Sequence, residues 1–335
     1  MSRARTSPYR PAGRGGLATL AASAVLALAA CGSPAAPAGV EQAAGEEAGI
    51  AVVTSTDVYG AVAEAVGGER VAVRSIITDP AADPHSYEST PADALAVSDA
   101  QVIVLNGGGY DAFMPQLVEA SGSEAPVVDV AAISGIEGAT ETEEHGAHEG
   151  EEGHGHGHGE FNEHLWYSLP TMKLLATELA EAFAQLDAAN AAVYTANAEA
   201  FQGEVDGLIE RAEAVAAAHG GDRVVVTEPI AAYLIEAAGL TDATPPEFAE
   251  AVEEDTDPPA AVVQETLALF AGEPVRALIL NSQTQTPTTD QVRQAAEAAN
   301  VPVVEMSETL PEGQSDYPAW MGGQIDALAA ALDRA

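Results

Sequence analysis

The sequence predicts an α/β fold: two α/β lobes with mainly parallel central sheets, joined by one long linking helix. Three observations predict it. Short apolar runs alternate with segments of helical periodicity, the pattern of strands connected by crossover helices. This alternation occurs twice, before residue 140 and after residue 220, without an internal sequence repeat. Between the two sets lies the strongest periodic signal in the chain: Tyr194, Ala198, Phe201, Val205, Leu208, Ala212 and Val215, spaced alternately by four and three residues. That spacing puts one apolar stripe on one face of a helix.

Composition sets the outer limits. The chain has 335 residues, room for roughly two ordinary domains, and 47% apolar residues with a mean hydropathy of +0.03, enough to form a packed core. Lys and Arg total 12 against 52 Asp and Glu, a net charge of −40. So acidic a surface is repelled by nucleic-acid phosphates and by anionic lipid, which excludes nucleic acid as a partner, while it attracts cations. The single Cys excludes an internal disulfide and a multi-cysteine zinc knot.

In chain order, residues 1–30 come first: Arg3, Arg5, Arg10 and Arg14 precede an uncharged apolar run from Leu17 to Ala30. A basic start followed by an apolar run too short for a comfortable membrane span is the pattern of an export signal. It ends Leu28-Ala29-Ala30-Cys31-Gly32, which looks like the lipobox of bacterial lipoproteins, where the Cys becomes the lipidated first residue. The expectation is an extracytoplasmic protein held to the outer face of the cell membrane by acyl chains on Cys31. Residues 31–49, rich in Pro, Ala, Gly and Glu, read as a flexible tether, and the remaining body as soluble and monomeric.

The first lobe is expected over 50–187. Strands are expected at Ile50–Thr54, Val71–Ile77, Gln101–Leu105 and Pro126–Val130. A helix capped by Thr56 or Asp57 runs to Val66, and another spans about 111–120. The linking helix covers 188–218, roughly 45 Å at 1.5 Å per residue. The second lobe, 219–335, has strands at Arg223–Thr227, Ala277–Leu280 and Pro302–Met306. Its helices are expected over 230–238, 259–270, 287–299 and about 318–332.

Five of the eight histidines fall in one Gly- and Glu-rich tract over 140–160: His145, His148, His154, His156 and His158. The tract has no apolar periodicity and is expected to be mobile. Its imidazoles, mostly neutral at pH 7, suit a borderline metal such as zinc; the alternative is a solvated spacer. His85 follows the second strand in Asp-Pro-His-Ser-Tyr-Glu, a turn enforced by proline, and His164 lies in Asn-Glu-His-Leu-Trp-Tyr just beyond the tract. Open α/β sheets bind ligands at the carboxyl ends of their strands. Glu228 and Glu308 each end a strand as well, although any one acid among 52 is ordinarily a solvated one. His219, at the end of the linking helix, is explained by its favourable place at a helix C-terminus.

Taken together, the stretches DPHSYE (83–88), NGGGYDAFM (106–114), NEHLWYS (162–168), TEPIAAYLIEAAGL (227–240), ILNSQTQTP (279–287), VPVVEMSETLPEG (301–313) and YPAWMGGQIDALAAAL (317–332) resemble one family. It is that of the zinc/manganese-class substrate-binding lipoproteins that feed ABC-type importers. The resemblance implies two α/β lobes joined by a rigid helix, with a metal site in the interlobe cleft. It implies four metal ligands, two from each lobe, falling on His85, His164, Glu228 and Glu308. The family usually has Asp at the fourth position, so Glu308 is a departure; Asp290 and Glu305 are the lower-ranked alternatives. Tyr110, Trp166 and Tyr233 either wall the cleft or pack as ordinary core.

The implied function is capture of Zn2+ for a membrane permease, with no catalysis. Two imidazoles and two carboxylates admit either metal: four single contacts make a zinc site, while bidentate carboxylates give the higher coordination of manganese. The imidazole-rich tract and the affinity order of divalent ions favour zinc, with Mn2+ as the alternative. A surface metalloenzyme would need an open coordination position and a general base, and no His-Glu-x-x-His motif or Gly-x-Ser-x-Gly elbow occurs. A cell-surface adhesin or zinc store, with metal held mainly by the tract, is the remaining alternative.

Overall fold

The computed structural model describes residues 49–79, 82, 84–140 and 161–334. Residues 1–30, expected as an export signal, Cys31, the expected tether up to residue 48 and the five histidines of the 140–160 tract lie outside the described residues. No described helix is long and apolar enough to cross a membrane.

The first lobe runs β1 (Ile50–Thr56), α1 (Asp57–Gly67), β2 (Val71–Ile77), α2 (Pro91–Asp99), β3 (Val102–Leu105), α3 (Phe113–Ser121), β4 (Val127–Asp129), α4 (Val130–Ser134) and α5 (Leu169–Leu186). The long helix α6 (Ala191–His219) follows. The second lobe runs β5 (Arg223–Val226), α7 (Ala232–Ala237), β6 (Thr241–Asp242), α8 (Pro246–Glu253), α9 (Ala260–Leu269), β7 (Ala277–Asn281), α10 (Pro287–Ala298), β8 (Val303–Met306) and α11 (Tyr317–Leu332).

Each lobe has a four-stranded, wholly parallel sheet, in the orders β2-β1-β3-β4 and β6-β5-β7-β8. The two orders are the same permutation. In each, the chain leaves the lobe's first strand toward one edge and later returns to build toward the other. This makes a topological switch point between β1 and β3 in one lobe and between β5 and β7 in the other.

Both sheets are covered on both faces, which explains their nearly continuous apolar runs. Successive residues alternate between faces. Val52, Val102 and Val104 join the core that contains α1, α5, α6 and α11, while Val53, Ile103 and Leu105 pack under α2 and α3. Val224, Val226 and Ile279 likewise join the first core, and Val225 and Leu278 pack with Phe248 of α8 and Val292 of α10. The inner core is thus shared by the two lobes, with α6 running through it. All seven residues of the apolar stripe from Tyr194 to Val215 are buried. At 29 residues α6 is about 44 Å long.

Several elements go beyond the sequence-based expectation: α2, α4, α5, α8 and the short β6. Helix α2 carries a capping box. The Thr90 hydroxyl accepts from the Asp93 N–H, the Asp93 carboxylate accepts from the Thr90 N–H, and Pro91 sits in the first turn. Helix α1 departs from its expected capping. Thr56 occupies the N-cap position but its hydroxyl makes no cap bond. Asp57 instead accepts the Leu310 N–H from the other lobe at 3.1 Å.

Candidate metal centre

The sequence-predicted residues come from loops at the carboxyl ends of parallel strands. His85 follows β2, Glu228 follows β5 by two residues, and Glu308 follows β8 by two. His164 enters from the segment that precedes a short 3-10 turn at Leu165–Tyr167. All four line one cavity of about 200 Å³, together with Glu253 and Gln283. The two lower-ranked alternatives are elsewhere: Asp290 and Glu305 are more than half exposed and both face Arg293.

His164 is 1% exposed and held by Asn162, whose Oδ1 lies 3.0 Å from the His164 backbone nitrogen and 3.2 Å from its Nδ1. An amide oxygen only accepts, so this network puts the ring proton on Nδ1 and leaves Nε2 as the lone-pair nitrogen. Asn162 donates its own Nδ2–H to the carbonyl of Pro229, the residue after Glu228, at 2.9 Å. One amide therefore ties a ligand candidate of the first lobe to the strand end that carries one of the second. Burial, and then the neighbouring His85, push the His164 imidazole down to about 3, so it is neutral at physiological pH.

Glu228 is 4% exposed. Its Oε2 accepts from Asn281 Nδ2 at 2.6 Å, and its buried Oε1 has no hydrogen-bond partner among the described residues. Burial pushes this carboxyl up to about 7; the Asn281 bond opposes the shift and the charge of Glu308 adds to it. A buried carboxylate oxygen without a donor is unfavourable in the absence of a cation. Glu308 uses both oxygens: Oε1 accepts from Asn281 Nδ2 at 2.8 Å and Oε2 from the Tyr110 hydroxyl at 3.0 Å. Asn281, the last residue of β7, thus sits at the switch point and donates to both carboxylates.

The aromatic residues pack in the core behind the site and do not line its cavity. Tyr110 is fully buried, with its ring 5.1 Å from that of His85 and 6.0 Å from that of His164, edge-on to both. It is presented by a turn in which Gly107, Gly108 and Gly109 have φ of 72, 63 and 104°, a succession that side chains rarely adopt. A Cβ on Gly108 would lie 2.2 Å from the Phe161 ring. Trp166, also fully buried, packs 5.2 Å from the His164 ring. Tyr233 donates to the Asn162 carbonyl at 2.6 Å, supporting the His164 segment.

Three residues at the site escape the sequence reading. Glu163 hydrogen-bonds His85 Nε2. Glu253, at the end of α8, has its Oε1 3.7 Å from His164 Nε2. Burial pushes Glu253 up to about 8, and the charge of Glu163 adds to the shift. Asn281 is the third, and it had a signal: a lone amide ending the apolar strand ALILN. The cleft therefore brings four carboxyl groups, those of Glu163, Glu228, Glu253 and Glu308, beside its two imidazoles. The neutral imidazole of His164 beside partly desolvated carboxylates is suited to hold a divalent cation of borderline or hard character.

Comparison with known proteins agrees with this architecture. Residues 52–331 match the model of the family described as zinc-uptake complex component A, periplasmic. A manganese-binding lipoprotein, MntA, of Halalkalibacterium halodurans is 30% identical over 186 residues, 56% of this chain and 55% of that protein. The high-affinity zinc uptake system protein ZnuA of Brucella abortus is 29% identical over 195 residues, 49% of this chain and 57% of that protein. The chain thus spans about half the length of the curated relatives it matches. Among solved structures, a mutant of the laminin-binding adhesin Lmb of Streptococcus agalactiae superimposes with a TM-score of 0.69 at 20% identity, covering 85% of this chain and all of that one. With a family match that runs from β1 into α11 and the same two-lobed fold, the chain belongs to the ZnuA family of periplasmic zinc-uptake components.

Proposed function

We propose that this protein captures Zn2+ outside the cytoplasm and delivers it to an ABC-type membrane permease, with His85, His164, Glu228 and Glu308 as ligands. The observation that carries the proposal is the convergence of these four residues, from four separate loops, on one cavity where the buried Oε1 of Glu228 has no hydrogen-bond partner among the described residues. Neutral His164 offers Nε2 without first losing a proton, and the carboxylates supply the countercharge. Tyr110 and Asn281 hold Glu308 from two sides, so it is oriented before the ion arrives. No step requires bond making in a substrate, and we propose no catalysis. Lipid attachment at Cys31 would keep the protein beside its permease, and the His-rich tract would raise the local zinc concentration.

Manganese is the second reading. It is favoured by the four carboxylates at the cleft, since oxygen donors and high coordination numbers suit Mn2+, and it fits the manganese-binding lipoprotein among the relatives. Metal analysis of the purified protein, followed by calorimetric competition between Zn2+ and Mn2+, decides between them. His85→Ala and His164→Ala are each expected to lose the tight site. Full retention of affinity in both variants would overturn the ligand assignment.

A further inference from the structure

Beside the small cavity lies a larger one of about 950 Å³, lined by Glu163, Asn162, Phe161 and residues of α8. His85, Glu253 and Asp255 line both cavities, so they form the wall between them. One ligand atom each from Glu163, His164 and Glu253 lies within 4.8 Å of the other two, a spacing that an ion could bridge. The His164 Nε2 to Glu253 Oε1 distance of 3.7 Å is too long for a hydrogen bond. It is close to the bite of about 3.3 Å between two ligands on a tetrahedral ion with bonds near 2 Å. The two acids differ from the inner pair in accessibility: the side chains of Glu163 and Glu253 are 18% and 22% exposed, while residues Glu228 and Glu308 are 4% and 9% exposed.

We infer that Glu163, Glu253 and His164 form an outer metal station, through which a divalent cation passes on its way from the large cavity to the inner site. The inference rests on the proposed metal-capture function and extends it to the route of entry. The geometry supplies the hand-over. Glu163 is bonded to His85 before the ion arrives. When Glu163 takes the ion it releases the Nε2–H of His85, and His85 gives that proton to the water of the large cavity before Nε2 serves as the next ligand. His164 is common to both sets, so the ion moves inward by exchanging Glu163 and Glu253 for His85, Glu228 and Glu308 while remaining on one nitrogen. At no point does it return to water. The inner carboxylates, almost wholly buried, are poorly placed for first contact with a hydrated ion.

The test is stopped-flow mixing of the full chain with Zn2+ alone. The readouts are the fluorescence of Trp166 and, independently, a competing zinc-sensitive dye. The wild type is expected to show a fast phase linear in zinc, then a slower phase independent of it. Glu253→Gln and Glu163→Gln should each slow the fast phase by about tenfold, with a smaller change in equilibrium affinity. Glu228→Gln should keep the fast phase and lose the slow one. Glu247→Gln, on the same helix but outside the cluster, controls for the loss of one charge and should behave as wild type. Association by Glu253→Gln and Glu163→Gln at the wild-type rate would overturn the station. So would a loss of affinity as large as in Glu228→Gln with an unchanged fast phase, which would make Glu253 an inner ligand. If instead Glu228→Gln, His85→Ala and His164→Ala all bind as wild type, it is the capture function itself that fails.

Discussion

The Tyr110 hydroxyl, in the first lobe, donates to Glu308 Oε2, in the second lobe, at 3.0 Å. Tyr110 is buried by His85, His164 and Trp166, so the bond is made inside the site and joins the two halves of it. Tyr110→Phe keeps the ring packing and removes only this donor. Residues that orient a metal ligand are typically worth 10–100-fold in affinity. The expected result is a rise in the zinc Kd of about tenfold in chelator-competition titration, with little change in the far-ultraviolet spectrum. An unchanged Kd would mean that Asn281 alone suffices to orient Glu308.

Asn281 is the second tie. Its Nδ2 donates to both Glu228 and Glu308, so removing it strips two buried carboxylates of one donor each. Leaving buried acceptors unsatisfied costs about 1–3 kcal/mol. Asn281→Ala should therefore lower the denaturant midpoint of the metal-free protein, and saturating zinc should recover most of the loss. Equal destabilisation with and without zinc would indicate that Asn281 serves the strand end alone.

The pH dependence of the metal-free protein follows from its buried acids. Glu228 is pushed up to about 7 and Glu253 to about 8, from 4.5. The folded state thus holds these protons more tightly than the unfolded state. The stabilisation is complete below about 4.5 and is lost as pH rises through 7 and 8. His164 works in the other direction: lowered from 6.5 to about 3, it penalises the fold only as pH drops below 6.5. Between pH 6.5 and 8 the two glutamates dominate, at no more than about 1.4 kcal/mol per pH unit for each, and the tails of Asp57 and Asp111, both raised by burial to about 6, add to the fall at its lower end. The melting temperature of the metal-free protein is therefore expected to fall across this range, and bound zinc to abolish the fall by matching the ionised carboxylates. A flat profile in the metal-free protein would contradict the buried-proton account.

The parts of the fold that are legible in sequence are those where burial enforces a period. The stripe from Tyr194 to Val215 identifies α6 because one face of that helix runs through the shared core. The strands read as apolar runs because both sheet faces are covered. Helix α5 has the same kind of pattern in Leu169, Met172, Ala176, Leu179 and Phe183, and α2 has its cap written in Thr90-Pro91-Ala92-Asp93. Both signals lie between more conspicuous features and are easily passed over. The cleft acids are a different matter. Glu163 and Glu253 are two of 52 acids, and nothing local distinguishes a carboxylate turned into a cavity from one turned into water. Glu253 shares α8 and its flank with Glu247, Glu250 and Glu254; only the tertiary placement of α8 against His164 singles it out.

The fourth ligand is best tested by separating charge from shape. Glu308 spans Asn281 and Tyr110, which lie on different lobes, and its length matters to that reach. Glu308→Asp shortens the side chain by one methylene and should lose at least one of these bonds. Glu308→Gln keeps the length, accepts from Asn281 through its amide oxygen, and lets its amide donate to the Tyr110 oxygen in return. If Glu308 is a ligand, Glu308→Gln loses zinc affinity by about 100-fold while the metal-free protein is at least as stable as the wild type, because a buried charge has been removed. If Glu308 only holds Tyr110 and Asn281 in place, Glu308→Gln binds zinc as the wild type does and Glu308→Asp is the damaging change. Calorimetric titration of the two variants side by side, with melting curves of their metal-free forms, distinguishes the outcomes because the two roles predict opposite rank orders.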